Sequence, residues 1–302
     1  MNDTQKKRFE SLYAQHLNAL ARLGKSKKTI ELYSRAVRRI AEFFDTCPDQ
    51  LTADDLKTFF TALIKSHSWS TVKTDRNGLQ FFYKHVLKRQ WQWLDIVKPP
   101  VARRLPDILT PQELSRMING AREARYQTYI LTTYSMGLRL SEALNLRVGD
   151  IDAQRQQVHI RAGKGLKDRY VFLPRTTLQV LRHYWAMHRH PSFVFPAGKN
   201  AQERHTATQP MPRSGVQKAF QVIAKECGIH KSVSIHTLRH CYGTHLLENG
   251  VNLRAIQDQM GHESPTTTAI YTQLTQVTQH NTEQMINQLV DRLAFTLIEK
   301  EG

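Results

Sequence analysis

A cluster of prolines divides the chain and sets the main limit on its fold. Three prolines fall within KPPVARRLP, residues 98–106. Proline lacks a backbone N–H and its ring clashes with the preceding turn, so a helix cannot run through this segment. A chain of 302 residues is also long enough for about two domains. We expect a helical domain over residues 1–97, a linker over 98–106 and a second domain over 107–302.

Apolar spacing predicts four short helices in the first domain. Apolar residues recur at three- to five-residue steps from about residue 6, and Gly24 ends the first stretch. Thr29 and Ile30 begin the second stretch, Thr52 is placed as the N-cap of the third, and a fourth follows Ser68. One side of these helices is basic.

The second domain mixes helices with one hairpin. Thr110, Pro111 and Glu113 predict a helix start, with Thr as N-cap, Pro at the first helical position and Glu completing a capping box. QVHIRAGKGLKDRYVFLP (157–174) instead predicts a β-hairpin with a basic tip, and helices resume from Thr177. The expected fold class is mainly α (α+β), with a small antiparallel β-hairpin sheet in a mixed α/β second domain.

The charge balance indicates a polyanionic partner. The chain carries 43 Lys+Arg against 26 Asp+Glu, a net charge of +17. Residues 1–100 hold 18 basic and 10 acidic side chains, so both domains are basic. This suits a protein that closes around a nucleic-acid duplex. The expected phosphate contacts, each of which could equally be a solvated surface charge, are Lys25, Lys27, Lys28, Arg35, Lys73, Arg76, Arg103 and Arg104.

The cysteines and the first residues of the chain indicate the cellular compartment in which the protein works. Cys47, Cys227 and Cys241 lie far apart and form no C-x-x-C pair, which argues against a disulfide framework and a structural zinc site. The first ten residues are charged, and no run approaches the ~18 apolar residues of a membrane span. We expect a cytoplasmic protein with no membrane partner.

Six side chains in the second domain could together cleave a phosphodiester without a metal. Each alone is more often a surface, turn or packing residue. Two arginines can clamp the negative charge of a phosphorane-like transition state, and a tyrosine can form a covalent intermediate. A lysine can protonate the leaving oxygen, and histidines can exchange protons. The set is Arg139, Lys164, His236, Arg239, His262 and Tyr271.

Two other chemistries lack their motifs. Lys164 sits between two glycines without the G-K-[ST] context of a nucleotide-binding loop, which excludes ATP binding of that type. His236, His240 and His245 lack the H-E-x-x-H spacing of a zinc site. The interpretation therefore needs no cofactor and no metal.

The motifs resemble the tyrosine recombinases, the integrase family that includes the Xer and phage integrases. In order they are G-L-R-x-S-E, G-K-G-x-K-x-R, H-x-L-R-H, M-G-H and T-x-x-x-Y, within residues 107–273. The resemblance implies that Arg139 and Arg239 grip the scissile phosphate and that Lys164 protonates the 5′-oxygen. His236 and His262 would assist the nucleophile or bind the phosphate, and Tyr271 would form a 3′-phosphotyrosyl link. Glu142, expected on the same helical face as Arg139, would orient an active-site group.

The resemblance also implies the wider function. It predicts site-specific recombination of double-stranded DNA for integration, excision or resolution, through a Holliday junction and a tetramer, in the prokaryotic cytoplasm on nucleoid DNA. The resemblance also allows accessory DNA-bending or directionality proteins as further partners. Two alternatives stay open: a relaxing topoisomerase with a similar site, and a DNA-binding protein whose active site has decayed.

The end of the chain carries an apolar pattern at helical spacing. It consists of Met285, Ile286, Leu289, Val290, Leu293 and Leu297. The pattern predicts a helix that packs either on its own domain or on a neighbouring subunit.

Overall fold

Two compact units, Met1–Ala102 and Arg103–Gly302, make up the computed structural model. The structure describes residues 1–91, 106–161, 168–261 and 264–273. Each unit has its own hydrophobic core. Among the described helices, none has both the length and the apolar character that a membrane span requires.

The described part of the first unit, residues 1–91, contains four α-helices. They are α1 (Asp3–Arg22), α2 (Lys27–Phe44), α3 (Ala53–Ser66) and α4 (Trp69–His85), with a 3-10 turn at Pro48–Gln50 between α2 and α3. Side chains of Asn2, Ser26, Thr52 and Ser68 cap the four helix starts by accepting a backbone N–H. The helical prediction is confirmed, although α2 begins before Thr29 because Ser26 is its cap.

Close contact between α2 and α4 builds the core of this unit. A Cβ added at Gly78 of α4 would lie 3.0 Å from the Cβ of Ala36 and from the Cα of Tyr33 on α2. Only a residue without a side chain lets the two backbones approach this closely. Phe59, Phe60 and Phe82 belong to the same core cluster as Ala36 and are almost fully buried.

The part of the second unit that the structure describes contains nine α-helices and a small three-stranded sheet. Its helices are α5 (Pro111–Gly120), α6 (Ala124–Ser135), α7 (Leu140–Leu144), α8 (Arg175–Ala186), α9 (Ala201–His205), α10 (Arg213–Glu226), α11 (Ile235–Glu248), α12 (Leu253–Met260) and α13 (Pro265–Thr268). Short 3-10 helices lie at Val148–Asp150 and Ala269–Gln273. The capping box predicted from Thr110 and Glu113 is present at the start of α5.

The sheet contains the predicted hairpin and one further strand. β1 (Ile151–Asp152), β2 (Gln157–Ile160) and β3 (Arg169–Phe172) are antiparallel in the order β1-β2-β3. The two-residue β1 was not predicted, because two residues are too few to show alternation. Val158, Ile160 and Val171 are buried on the inner face of the sheet.

The outer edge of β3 is covered by α12. Gln259 of α12 accepts a hydrogen bond from the backbone N–H of Phe172 at 3.1 Å. An edge strand whose donors are paired in this way is a poor template for a further strand. The contact also fixes the position of α12 relative to the hairpin.

Helix α11 lies at the centre of the second unit. It packs against α6, α12 and the 3-10 helix Ala269–Gln273. Its residues Leu238 and Cys241 are fully buried. Side chains on this helix can therefore reach elements that lie far apart in the sequence.

Candidate active site

Arg139 is held at the start of α7 by Glu142. Arg139 is the N-cap residue, and its backbone N–H donates to Glu142 Oε2 at 2.9 Å. Its guanidinium Nη1 donates to Glu142 Oε1 at 2.6 Å and Nη2 to the carbonyl of Gly261 at 2.9 Å. The expectation of a shared helical face was wrong, because Arg139 precedes the helix. The Glu142 carboxylate instead accepts hydrogen bonds from both the backbone N–H and the guanidinium of Arg139, which fixes the orientation of the arginine.

Arg239 is a buried cation. Its side chain on α11 is 1% exposed, and its Nη1 and Nη2 donate to the carbonyls of Gly137 and Met260. Burial and then Arg139 lower the pKa of Arg239 to about 10. The guanidinium therefore stays charged at neutral pH, and two carbonyls use only two of its five N–H donors.

Gly137 shapes the turn that receives Arg239. It has a φ of +57°, and an added Cβ would lie 2.4 Å from Cδ1 of Tyr242. Both the left-handed backbone and the ring contact require glycine at this position. The glycine in the predicted G-L-R motif therefore has a structural role in presenting a carbonyl to Arg239.

Two histidines, His236 and His240, lie one turn apart on α11. His236 lies in the first turn, where part of its surface stays open to solvent and its ring packs against His240 at a centroid distance of 4.7 Å. Desolvation, followed by Arg239 and Arg139, lowers the pKa of His236. Burial beside His236 lowers the pKa of His240 to about 4. Both rings are thus biased towards the neutral form, which can accept a proton.

Tyr271 is buried against α11. It lies in the 3-10 helix Ala269–Gln273 and is 1% exposed. A Cβ added at Gly243 would lie 2.6 Å from Cε2 and Cζ of the Tyr271 ring. His240 contacts the ring from another side at a centroid distance of 6.0 Å. Glycine at position 243 is therefore needed for this placement of the ring.

Burial and charge act on the Tyr271 phenol in opposite directions. Burial raises the pKa of Tyr271 to about 12, although Arg239 and Arg139 lower it. The phenol is therefore protonated at neutral pH. The two arginines are close enough to stabilise a phenolate or a bound anion once a proton acceptor is present.

Arg169 is a site residue that sequence reasoning gave no role. Its guanidinium donates two hydrogen bonds to Glu142, from Nη1 to Oε1 at 2.9 Å and from Nη2 to Oε2 at 2.8 Å. Its strand register pairs it with Ile160, on the buried face of the sheet. An arginine at an inward-facing strand position was the signal that could have identified it.

Several predicted residues lie outside the described part of the chain. They are Lys164, His262, Arg103 and Arg104, together with the apolar pattern between Met285 and Leu297. Of the basic residues predicted in the first unit, Lys25, Lys27, Lys28, Arg35 and Lys73 are exposed and Arg76 is half-buried. The structure thus brings together Arg139, Glu142, His236, Arg239 and Tyr271 in the second unit.

Comparison with known proteins identifies the family to which this chain belongs. Residues 107–277 match the model of the phage integrase family, and residues 12–93 match the phage integrase N-terminal SAM-like domain. The first match alone covers more than half of the chain and includes Arg139, Arg239 and Tyr271.

Full-length relatives agree with the family models. The tyrosine recombinase of Thermosipho africanus is 32% identical over 259 residues, which cover 82% of this chain and 88% of the relative. Tyrosine recombinase XerD of Listeria innocua is 31% identical over 271 residues, covering 84% and 90%. The crystal structure of XerA recombinase superposes with a TM-score of 0.51 at 26% identity, over 95% of this chain and 100% of that chain. The chain belongs to the phage integrase family of tyrosine recombinases, the enzymes that cleave and rejoin DNA strands in site-specific recombination.

Proposed function

We propose that Tyr271 is the nucleophile of this recombinase and forms a 3′-phosphotyrosyl bond with the cleaved strand. The observation that carries the proposal is the position of the Tyr271 ring, which packs against Gly243 on α11, four residues after Arg239 on the same helix. The positive charges of Arg239 and Arg139 both act to lower the pKa of its phenol. Those two guanidiniums come from separate elements, the turn before α7 and the interior of α11. Cations placed where charge develops stabilise a transition state without reorganising during the reaction.

Arg139 and Arg239 grip the non-bridging oxygens of the scissile phosphate. Each retains N–H donors beyond those used by Gly137, Met260, Glu142 and Gly261. Arginine suits this task because its planar fork matches two phosphate oxygens at once. Glu142 orients Arg139 and does not touch the phosphate.

Proton transfer completes the reaction. His236, whose pKa is lowered by desolvation and the neighbouring arginines, accepts the phenol proton or a phosphate hydrogen bond. Following the family motifs, we assign Lys164 to protonation of the 5′-oxygen and His262 to a non-bridging oxygen. The covalent tyrosyl link stores the energy of the broken phosphodiester, so rejoining to another strand needs neither ATP nor a metal.

The proposal extends to the assembly. Strand exchange between two duplexes proceeds in pairs through a Holliday junction, which requires four protomers on two sites. The first unit contributes phosphate contacts from its exposed lysines and arginines, and the two units together clamp the duplex. The outcome of recombination is integration, excision or resolution of a DNA element, and it takes place in the cytoplasm. Accessory DNA-bending or directionality proteins are further partners.

A plasmid assay tests this function against its alternatives. Wild type and Tyr271→Phe are incubated with supercoiled plasmids that carry DNA flanking the gene. We expect covalent protein–DNA adducts and recombinant circles from wild type only, because phenylalanine has no nucleophilic oxygen. Adducts with relaxation but no recombinants would indicate a topoisomerase, and binding without adducts a DNA-binding protein.

A further inference from the structure

Arg169 connects three parts of the site. It is the first residue of β3, the strand that leaves the hairpin tip. Its Nη1 and Nη2 bind Glu142 on α7, and its Nε donates to the carbonyl of Gln259 on α12 at 3.1 Å. The side chain is only 12% exposed. One guanidinium therefore ties the hairpin, the arginine-bearing turn and the end of α12 to one another.

The carboxylate of Glu142 is shared by two arginines. Oε1 accepts from both Arg139 and Arg169, and Oε2 accepts from Arg169 and from the Arg139 backbone. The side chain of Glu142 is 5% exposed. A buried carboxylate with several charge-assisted hydrogen bonds has a single preferred orientation.

The charge of this cluster depends on Arg169. Arg139 and Glu142 alone would form a neutral pair, which attracts a phosphate weakly. With Arg169 the three side chains carry a net charge of +1, since Arg169 shares the negative charge of the carboxylate. Arg139 thereby keeps positive charge for an anion while it stays oriented by Glu142.

The turn after α12 is built around the same side chain. Gly261 has a φ of +61°, and a Cβ added there would lie 2.8 Å from Cδ of Arg169. The Gly261 carbonyl in turn accepts from Arg139. The turn thus contacts Arg169 on one side and binds Arg139 on the other.

We propose that Arg169 is a positioning residue: it holds Glu142 so that Arg139 is aimed at the scissile phosphate and keeps its charge for it. This inference rests on the proposed function, in which Arg139 binds the phosphate. Arg169 itself does not touch the reacting atoms. Its removal would lower the rate of cleavage more than it lowers DNA affinity.

Single-turnover cleavage by Arg169→Gln tests the proposal. The substrate is a nicked duplex spanning the position at which wild type forms its adduct, with protein in saturating excess. We expect the cleavage rate to fall on the order of 10- to 100-fold, because small misplacements of a catalytic group cost this much. Arg161→Gln is the matched control, since Arg161 pairs with Asp150 and is 59% exposed. The control should stay within about threefold of wild type.

A methylphosphonate at the cleavage position separates positioning from general destabilisation. This group lacks one negative oxygen, so it depends less on the charge of Arg139. The rate loss caused by Arg169→Gln should be at least about tenfold smaller on the methylphosphonate than on the phosphodiester. Equal losses on both substrates would overturn the proposal, because a loosened fold impairs both alike.

Two further variants keep the test decisive. Arg169→Lys retains the charge but not the fork, and should cleave at a rate between wild type and Arg169→Gln. The double variant Glu142→Gln, Arg169→Gln should be no slower than the slower single variant, because both act through one carboxylate. If the rate losses of the two single variants multiply in the double variant, Glu142 and Arg169 do not act through the same contact. An absence of wild-type adduct would instead refute the proposed function.

Discussion

At the scale of single residues, the site depends on glycines as much as on charged groups. Gly137 presents a carbonyl to Arg239, Gly243 gives the Tyr271 ring its space and Gly261 makes room for Arg169. A Cβ would meet the ring of Tyr271 at Gly243, the side chain of Arg169 at Gly261 and the ring of Tyr242 at Gly137. The placement of Tyr271 therefore follows from backbone geometry on α11 as well as from its own segment.

Gly243→Ala should displace the Tyr271 ring without weakening α11, the helix that carries Gly243. The new Cβ would meet the Tyr271 ring at 2.6 Å, whereas alanine favours helix more than glycine does. We expect the rate of adduct formation to fall by about 100-fold, because the phenol moves away from the phosphate. The measurement is single-turnover cleavage of the nicked duplex.

Gly149→Ala is the control for this prediction. A Cβ at Gly149 meets no atom within 4 Å, so this variant should cleave like wild type. If Gly243→Ala also cleaves at the wild-type rate, the close packing of Tyr271 on α11 does not matter for catalysis.

At the scale of elements, the structure shows which parts of the sequence pattern were sufficient. Caps at Thr52 and Thr110 are local signals, and both appear as predicted. The hairpin is confirmed because its alternation spans four residues on each strand. Local patterns thus predicted the fold class and these longer elements, but not the two-residue strand β1.

Contacts between distant elements were beyond local patterns. The sequence placed Glu142 beside Arg139 but could not show that Arg169 completes the cluster, since strand register is a tertiary property. Nor could it show that Tyr271 is buried, because the ring is covered by α11. The sequence motifs predicted roles for Arg139, Arg239, Tyr271 and Glu142, whereas the contact between Arg169 and Glu142 became visible only in the structure.

The packing of α1 on α4 makes a pH-dependent contribution to stability. His16 of α1 is fully buried, its ring makes edge-on contacts with Phe81 and Phe82 of α4, and burial lowers its pKa from 6.5 to about 4. The folded state thus favours the neutral ring. This contribution is complete above pH 6.5 and is lost as the pH falls towards 4, because the unfolded chain then binds the proton more readily.

His16→Leu should remove that dependence. Between pH 7 and pH 4.5, the free energy of opening that protects the α1 and α4 amides from exchange should fall by about 2 kcal/mol more in the wild type than in the variant. Hydrogen–deuterium exchange, compared between proteins at each pH, measures it. The exposed His67→Gln control should follow wild type, and parallel pH curves for wild type and His16→Leu would refute the assignment.

At the scale of the whole molecule, both units are basic, which makes DNA affinity a shared property. Charge on the first unit should contribute to binding without reading sequence, since phosphate contacts set affinity and register. Lys27 and Lys28 at the exposed start of α2 are the simplest pair to remove.

The double variant Lys27→Gln, Lys28→Gln should weaken binding to every duplex by a similar factor. The slope of log K against log salt should become shallower by about 2, as two phosphate contacts are lost. Lys57→Gln is the control, because Lys57 pairs with Asp54 at 2.9 Å on the same unit. An unchanged slope in the double variant would place the phosphate contacts elsewhere.

Covalent chemistry at Tyr271 is the central claim, and mapping the protein–DNA bond tests it most directly. Adducts trapped on the nicked duplex are digested with protease, and the nucleotide-bearing peptide is sequenced by mass spectrometry. We predict that the nucleotide is on Tyr271, joined through a 3′-phosphate, and that the other DNA end carries a free 5′-hydroxyl. A nucleotide on any other residue, or a 5′-phosphate link, would contradict the account.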